Sequence, residues 1–487
     1  MNITFNEFLK EERTIKELQL AMDDGTITSK ELVMYFLHRI ANIDQAGCNL
    51  NSVQEINPDA IFLAEALDFE RKSKGTRGPL HGVPVLLKDN IETGDSMHTS
   101  AGTLALEHHV ASQDAFLAKK LREAGAIILG KANMTELANG MASEMWAGYS
   151  ARGGQVINPY GDFFVGGSSS GSAVAVAANL TVLSVGTETD ASILSPAIQN
   201  SVVGIKPTVG LISRSGIIPF SYSQDTAGPF ARNVTDAALL LQAMTGVDPD
   251  DAATFKSEGL KEDYTSFLVS DGLKDARIGV FTGVSDEFLQ SDEYDEELFQ
   301  KAIESIKEAG ATIIEDIEIP AFDHDWSWGV LFYELKHSLE NYLSKLPAHS
   351  PVHTFKELVH FNQNVGDRAL KYGQDKLEQR AALSNTLRNS DYLNAKLEDL
   401  FFSQQQGMDY TLKKYNLDAI LFPSYVGSTI SAKAGYPSIA VPAGFKESGR
   451  PFGITFAGTA FSEGTLIRIA YAFEQTTQHR RRPVLES

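Results

Sequence analysis

The chain predicts an α/β fold in one large domain, residues 1–487. Short β-branched apolar runs alternate with amphipathic helical stretches from end to end, one helix–glycine–strand pattern occurs twice, and no Pro- or Ser-rich linker divides the sequence. Apolar residues make up 43%, enough for a substantial core.

Residues 14–43 carry Leu18, Leu20, Met22, Leu32, Met34, Leu37 and Ile40 at helical spacing, with a turn at Asp24-Gly25 between two segments. Ser29 is the expected N-cap of the second. Residues 59–73 form another amphipathic stretch. Val83-Pro84-Val85-Leu86-Leu87 reads as a buried strand ending at Lys88-Asp89-Asn90, and Pro84 places it at a sheet edge or at the start of the strand. Residues 116–124 predict a helix that closes at Gly125 and runs into Ala126-Ile127-Ile128-Leu129. Residues 298–309 close at Gly310 and run into Ala311-Thr312-Ile313-Ile314. Glycine at a helix end with a β-branched strand behind it is the pattern of parallel α/β units. Further strands are expected at 278–281, 419–422, 438–441 and 453–456, and helices at 236–245 and 463–476. Residues 250–410 are the most polar and helical part. Their acidic cluster, residues 286–297, suits the start of a helix.

Lysine and arginine total 42 against 63 acidic residues, a net charge of −21. That balance argues against nucleic-acid binding, which needs a basic surface. Arg480-Arg481-Arg482 is too short to reverse it and reads as a solvated terminus. The single cysteine, Cys48, makes no intramolecular disulfide or thiolate metal cluster and reads as a structural thiol. The longest apolar stretch, 172–185, is interrupted by Asn179, Thr181 and Ser184, so no membrane span is expected. The N-terminus lacks the pattern of a signal peptide. The expectation is a soluble, cytoplasmic protein.

The chemistry-bearing segment is Gly166-Gly167-Ser168-Ser169-Ser170-Gly171-Ser172 ahead of an alanine- and valine-rich run. It reads as a glycine-rich turn leading into a tightly packed helix, capped by Ser170 or Ser172, whose N-terminus offers N–H groups to an anion. A phosphate cradle of a small-molecule kinase that binds ATP is the rival reading; a P-loop is excluded because no Gly-Lys-Ser/Thr follows. Gly-x-Ser-x-Gly occurs around Ser169, preceded only by a short strand-like run, 163–165. A second serine segment follows, Gly186-Thr187-Glu188-Thr189-Asp190-Ala191-Ser192-Ile193. One helix and one return strand separate Ser168 from Ser192, a path that brings both hydroxyls to one place. No histidine stands beside either; His98, His108 and His109 read as structural. Lys88, at the end of its buried strand, has two readings: an ion-pair partner, or a base whose pKa is lowered by desolvation.

Together these segments resemble the amidase signature family. Residues 82–90 are similar to its lysine motif, 166–172 to its glycine-serine signature, and 186–193 to its nucleophile segment, followed by Val203-Gly204-Ile205-Lys206-Pro207-Thr208. Gly130-Lys131-Ala132-Asn133-Met134-Thr135-Glu136 also matches. The resemblance is strong over about residues 60–245 and returns near 435–475. Residues 250–410, where it fades, are expected to shape the substrate pocket, with Trp326, Tyr333 and Phe361 as candidates for its apolar wall.

The resemblance implies a large twisted mixed β-sheet covered by helices on both faces. It implies a Ser–cisSer–Lys triad: Ser192 as nucleophile forming an acyl-enzyme, Ser168 as proton relay after a cis peptide bond from Gly167, and Lys88, neutral at rest, as base. The N–H groups of Thr189, Asp190, Ala191 and Ser192 would form the oxyanion hole. No metal or organic cofactor is required.

Within the family, the peptide amidases are most similar, through Glu188-Thr189-Asp190, Ser223-Gln224-Asp225-Thr226 and the segment 146–154. That suggests peptide C-terminal amides or other primary amides as substrates. An amidase-type subunit of a tRNA-dependent amidotransferase is the alternative. Asp190-Ala191 departs from the Gly-Gly that many members carry before the nucleophile. The expectation is a negative φ at Ala191 and an Asp190 carboxylate that points away or is hydrogen-bonded.

Overall fold

The computed structural model describes residues 5–260 and 262–485. Its frame is an 11-stranded mixed sheet flanked by helices. The strands are β1 (Val53–Ile56), β2 (Pro84–Lys88), β3 (Ile127–Ala132), β6 (Leu183–Glu188), β7 (Val203–Lys206), β8 (Thr226–Ala231), β9 (Arg277–Val280), β10 (Thr312–Ile314), β11 (Ala419–Pro423), β12 (Ser438–Phe445) and β13 (Pro451–Ala457). A separate hairpin pairs β4 (Tyr149–Ser150) with β5 (Gly154–Gln155). The sheet order is β1-β3-β2-β6-β8-β7-β12-β13-β11-β9-β10.

Both helix–glycine–strand units form parallel pairs, β2 with β3 and β9 with β10. Each preceding helix ends before a glycine at positive φ, Gly125 at 81° and Gly310 at 99°. β2 also pairs in parallel with β6, whereas β6 pairs antiparallel with β8. The carboxyl ends of β2 and β6 therefore open side by side where strand direction changes, the place where open α/β sheets receive ligands.

Pro84 is the first residue of β2, as a residue without an N–H requires. The edge position is not used: β2 lies between β3 and β6. Two further expectations are corrected near the N-terminus and in the glycine-serine loop. Thr28, not Ser29, caps the helix Ser29–Arg39, through a capping box with Glu31. Ser169, not Ser170 or Ser172, occupies the N-cap of the helix Ser170–Ala177, and it makes no side-chain cap hydrogen bond. Ser170 Oγ donates instead to Gly166 O at 2.5 Å and Ser172 Oγ to Val185 O at 3.2 Å. Residues 163–165 are not a strand.

Every residue of the helix Ser170–Ala177 is buried. Gly171 lies so close to the carbonyls of Ser52 and Asn133 that no Cβ fits there, which presses this helix against the chain that follows β3. Arg480 is not a solvated tail residue: it forms an ion pair with Glu12 and donates to Ala177 O. In the acidic cluster, Asp295 caps the helix Glu296–Glu308 and Asp292 binds Lys446 and Arg450. Among the described residues, no helix is long and apolar enough to cross a membrane.

Candidate active site

Lys88 ends β2 with its side chain fully buried, yet no carboxylate among the described residues lies within 4.0 Å of it. The ion-pair reading is therefore overturned. Its Nζ contacts oxygens only: Ser168 Oγ at 2.7 Å, Ser169 Oγ at 2.9 Å, Thr187 Oγ1 at 2.9 Å and Thr187 O at 3.2 Å. Burial lowers its pKa to about 7, with Asp225 and Glu188 working in the opposite direction. The amine is thus poised between its charged and neutral forms near neutral pH.

The two serines beside Lys88 differ. Ser169 Oγ donates to Thr187 O at 2.9 Å and accepts from Thr187 N at 3.2 Å, so its proton is committed to the end of β6. Ser168 has no such engagement and lines an open cavity. A neutral Lys88 has one lone pair, and the nearest hydroxyl is that of Ser168. The peptide bond between Gly167 and Ser168 is cis. Gly186 makes room for this arrangement, since a Cβ there would stand 2.7 Å from Ser169 Oγ.

Ser192 follows β6 on the turn 189–192. The loop and the turn meet directly, because Ser169 N donates to Ser192 O at 3.2 Å. Ser168 and Ser192 line one cavity of about 530 Å³, together with Gly167, Thr189, Asp190 and Ala191. The helix and return strand between them thus bring the two serines to one place. His98 instead pairs with Glu55, and His109 lies against Glu92 and Tyr342, so neither joins the serines.

The turn is held from three sides. Glu188 Oε2 accepts from Ile193 N at 2.6 Å and Leu194 N at 3.0 Å. Thr189 Oγ1 donates to Asp225 Oδ1 at 2.6 Å, and Gln224 Nε2 donates to Thr189 O at 3.1 Å. Asp190 Oδ2 accepts from Thr429 Oγ1 at 2.9 Å, which turns the carboxylate toward the helix Ser428–Ala434. The expectation of a hydrogen-bonded Asp190 agrees with this geometry. The expectation for Ala191 is corrected: its φ is +60°, a conformation that costs an alanine roughly 1–2 kcal/mol. Among the described residues, none accepts a hydrogen bond from the N–H of Asp190, Ala191 or Ser192. These donors remain free for an anionic oxygen.

Part of the N-terminal turn of the helix Ser170–Ala177 is already engaged. Gly171 N donates to Asn133 O at 3.0 Å and Ser169 N to Ser192 O, so these two donors are spent within the protein.

The family model described as Amidase matches residues 31–467. This chain belongs to the amidase family. It is a hydrolase acting on amide C–N bonds. The amidase is 40% identical to a probable amidase of Arabidopsis thaliana, over 98% of this chain and 92% of the relative. It is 41% identical to a solved native peptide amidase from Stenotrophomonas maltophilia, with a TM-score of 0.91 over 98% of this chain and 99% of that one. It is 32% identical to a glutamyl-tRNA(Gln) amidotransferase subunit of Caldanaerobacter subterraneus, over 96% of this chain and 97% of the relative.

Residues of the 250–410 region line the cavity beside Ser192, but not the ones expected to form its apolar wall. Trp328, Leu331, Phe332, Lys376 and Arg380 line the cavity beside Ser192. Trp326 packs against the cluster that holds Phe281 and Phe422 and meets the ring of His324, Tyr333 lies against Tyr392, and Phe361 joins the cluster around Leu358. Sequence reasoning also gave no role to Glu188 or Asp225 in shaping the turn. The signal for Asp225 was present in the segment Ser223-Gln224-Asp225-Thr226.

Proposed function

We propose that this amidase hydrolyses primary carboxamides, peptide C-terminal amides foremost, through Ser192, Ser168 and Lys88. One observation carries the reading: a buried amine without a counter-ion contacts the Ser168 hydroxyl in the cavity that also holds Ser192. Neutral Lys88 takes the Ser168 proton as Ser168 takes that of Ser192, and Ser192 Oγ attacks the amide carbon. The oxyanion is received by the free N–H groups of Asp190, Ala191 and Ser192, with Thr189 as the remaining member of the turn. Lys88, now an ammonium, returns a proton through Ser168 to the leaving nitrogen, and ammonia departs. Water then adds to the acyl ester by the reverse relay and releases the carboxylate.

The peptide preference rests on the likeness to the Stenotrophomonas peptide amidase over nearly the whole of both chains. The amidotransferase reading is supported by relatives near 32% identity; it predicts co-purification with tRNA and with a partner protein. The deciding experiment measures ammonia release from peptide, aryl and aliphatic amides by the wild type and by Ser192→Ala. Turnover by the wild type and its loss in the variant is the expected result. A variant as active as its parent would remove Ser192 as nucleophile.

A further inference from the structure

Two cations line one wall of the active cavity and form no ion pair among the described residues. Lys376 and Arg380 stand one turn apart on the helix Asp375–Ala381, and both line the cavity that holds Ser168 and Ser192. Arg380 is only 3% exposed. Its guanidinium lies over the Phe332 ring at 4.4 Å, and Nη1 donates to Gly140 O at 3.1 Å. Its Nε is buried without any hydrogen-bond partner.

No carboxylate among the described residues comes within 4.0 Å of either cation. The neighbouring Asp375 is turned to Ser143, accepting from its N at 2.8 Å and its Oγ at 2.6 Å. Asp190 is the one acid among the described lining residues, and it is engaged by Thr429. The largely buried Arg152, Arg214 and Arg450 each meet a carboxylate, and the buried Arg232 gives its two terminal nitrogens to the carbonyls of Thr181 and Arg13; what sets Arg380 apart is a buried Nε with no acceptor in a cavity. A buried, unpaired guanidinium is costly, and a chain with 63 acidic residues has no shortage of partners for it. Leaving Arg380 and Lys376 unpaired in a substrate cavity makes sense when the missing anion arrives with the substrate.

We propose that Lys376 and Arg380 form a subsite for a carboxylate on the acyl part of the substrate, so that this amidase prefers acidic amides to neutral and basic ones. The proposal rests on the reading of this cavity as the place where Ser192 acts. The carboxylate is that of a Glu or Asp side chain in a peptide amide, or the free end of a dicarboxylic acid monoamide. A guanidinium–carboxylate contact in a partly dry cavity is charge-assisted and directional, and a neutral isostere leaves the cations unpaired.

The test compares kcat/KM for N-acetyl dipeptide amides bearing Glu, Gln or Lys, and for the monoamide of adipic acid against hexanamide. The wild type is expected to favour Glu over Gln by about tenfold or more, and Gln over Lys. A preference seen only with the adipic monoamide assigns the subsite to dicarboxylates rather than peptides. Arg380→Gln and Lys376→Gln are each expected to lower the Glu/Gln ratio at least about threefold. The ratio is formed within each variant, so a general loss of activity cancels; Lys376→Gln decides if Arg380→Gln fails to fold. Acidic-to-neutral ratios at or below one in the wild type for both pairs, or unchanged in both variants, overturn the subsite while leaving amide hydrolysis intact. If the wild type turns over none of these amides, calorimetric binding of the Glu and Gln amides to Ser192→Ala decides. A Glu preference there supports the subsite and sinks only the proposed reaction; no preference sinks both.

Discussion

Thr189 Oγ1 donates a 2.6 Å hydrogen bond to Asp225 Oδ1, tying the turn that carries Ser192 to the loop ahead of β8. The same carboxylate accepts from Phe220 N and Ser221 N at 2.7 Å each. Ser221 and Ser223 are in turn held by the buried Glu334 of the helix Gly329–Leu343, which also receives Lys396 and Tyr392. Asp225 thus ties the turn 189–192 to the loop 220–221.

Asp225→Asn should lower kcat by about 10–100-fold with KM changed less than about threefold, because misaimed donors matter most once the oxyanion forms. Thr189→Val should behave alike, and the double variant should be little worse than either. Steady-state kinetics on one primary amide measures this. Additive losses would show that the two act separately.

The pH profile follows from the buried amine. Below about pH 7 Lys88 is an ammonium without a lone pair, so kcat/KM should fall about tenfold per unit of acidification and reach a plateau above pH 8. Lys88→Arg should not restore activity, since a guanidinium stays charged. An acidic limb centred near pH 10 would contradict a desolvated base.

Stability carries the same signature. The unfolded lysine holds its proton up to about pH 10.4 while the folded one releases it near 7, so the unfolded state binds more protons between these values. Raising the pH from 7 to 9 should therefore favour the folded state by about 2 kcal/mol through this group. Urea unfolding of the wild type and of Lys88→Met at both pH values isolates the contribution. Equal pH responses in the two proteins would rule it out.

Ala191 at φ +60° is the one strained position of the turn. Ala191→Gly should relieve that strain at some cost in chain entropy, for a net gain of about 0.5–1 kcal/mol in unfolding free energy. Ala191→Val should destabilise markedly, because β-branched residues resist positive φ. Thermal unfolding reports both, and a destabilised glycine variant would count against the strain.

Asp190 faces Thr429 rather than the free N–H groups of the turn, and burial raises its pKa. Asp190→Asn should leave the rate within about fivefold of the wild type, since an amide oxygen still accepts from Thr429. A rate gain well beyond that would mean that the native charge opposes the oxyanion.

The parts of the site legible in the sequence were those carried by covalent order. Ser168 sits in a glycine-rich loop and Ser192 follows a strand, so the meeting of these two could be argued from chain path, whereas Lys88, at the end of an apolar run, joined them only through the resemblance to the amidase signature family. Ala191 could not be read, because the sign of φ at a non-glycine residue is set by the hydrogen bonds around it, here those of Glu188 and Thr189. The apolar wall failed for a different reason. The helix Gly329–Leu343 buries Val330 and Leu335 against neighbouring elements and turns Leu331 and Phe332 to the cavity. Periodicity marks apolar faces but does not tell which one meets a void. N-caps slipped by one residue at Thr28 and Ser169, where several hydroxyl side chains stand in a row.

The parallel register of β2 against β6, with Leu87 opposite Val185, has a consequence for how this enzyme could lose its reaction. Deleting a single residue from Val85–Leu87 would leave an apolar strand able to pair at the same place. The next residue, Asp89, would then stand where the amine now does, and the lysine would turn to the opposite face of the strand. Such a deletion would remove the buried amine from the cavity and bury a carboxylate in its place, so activity and thermal stability would fall together.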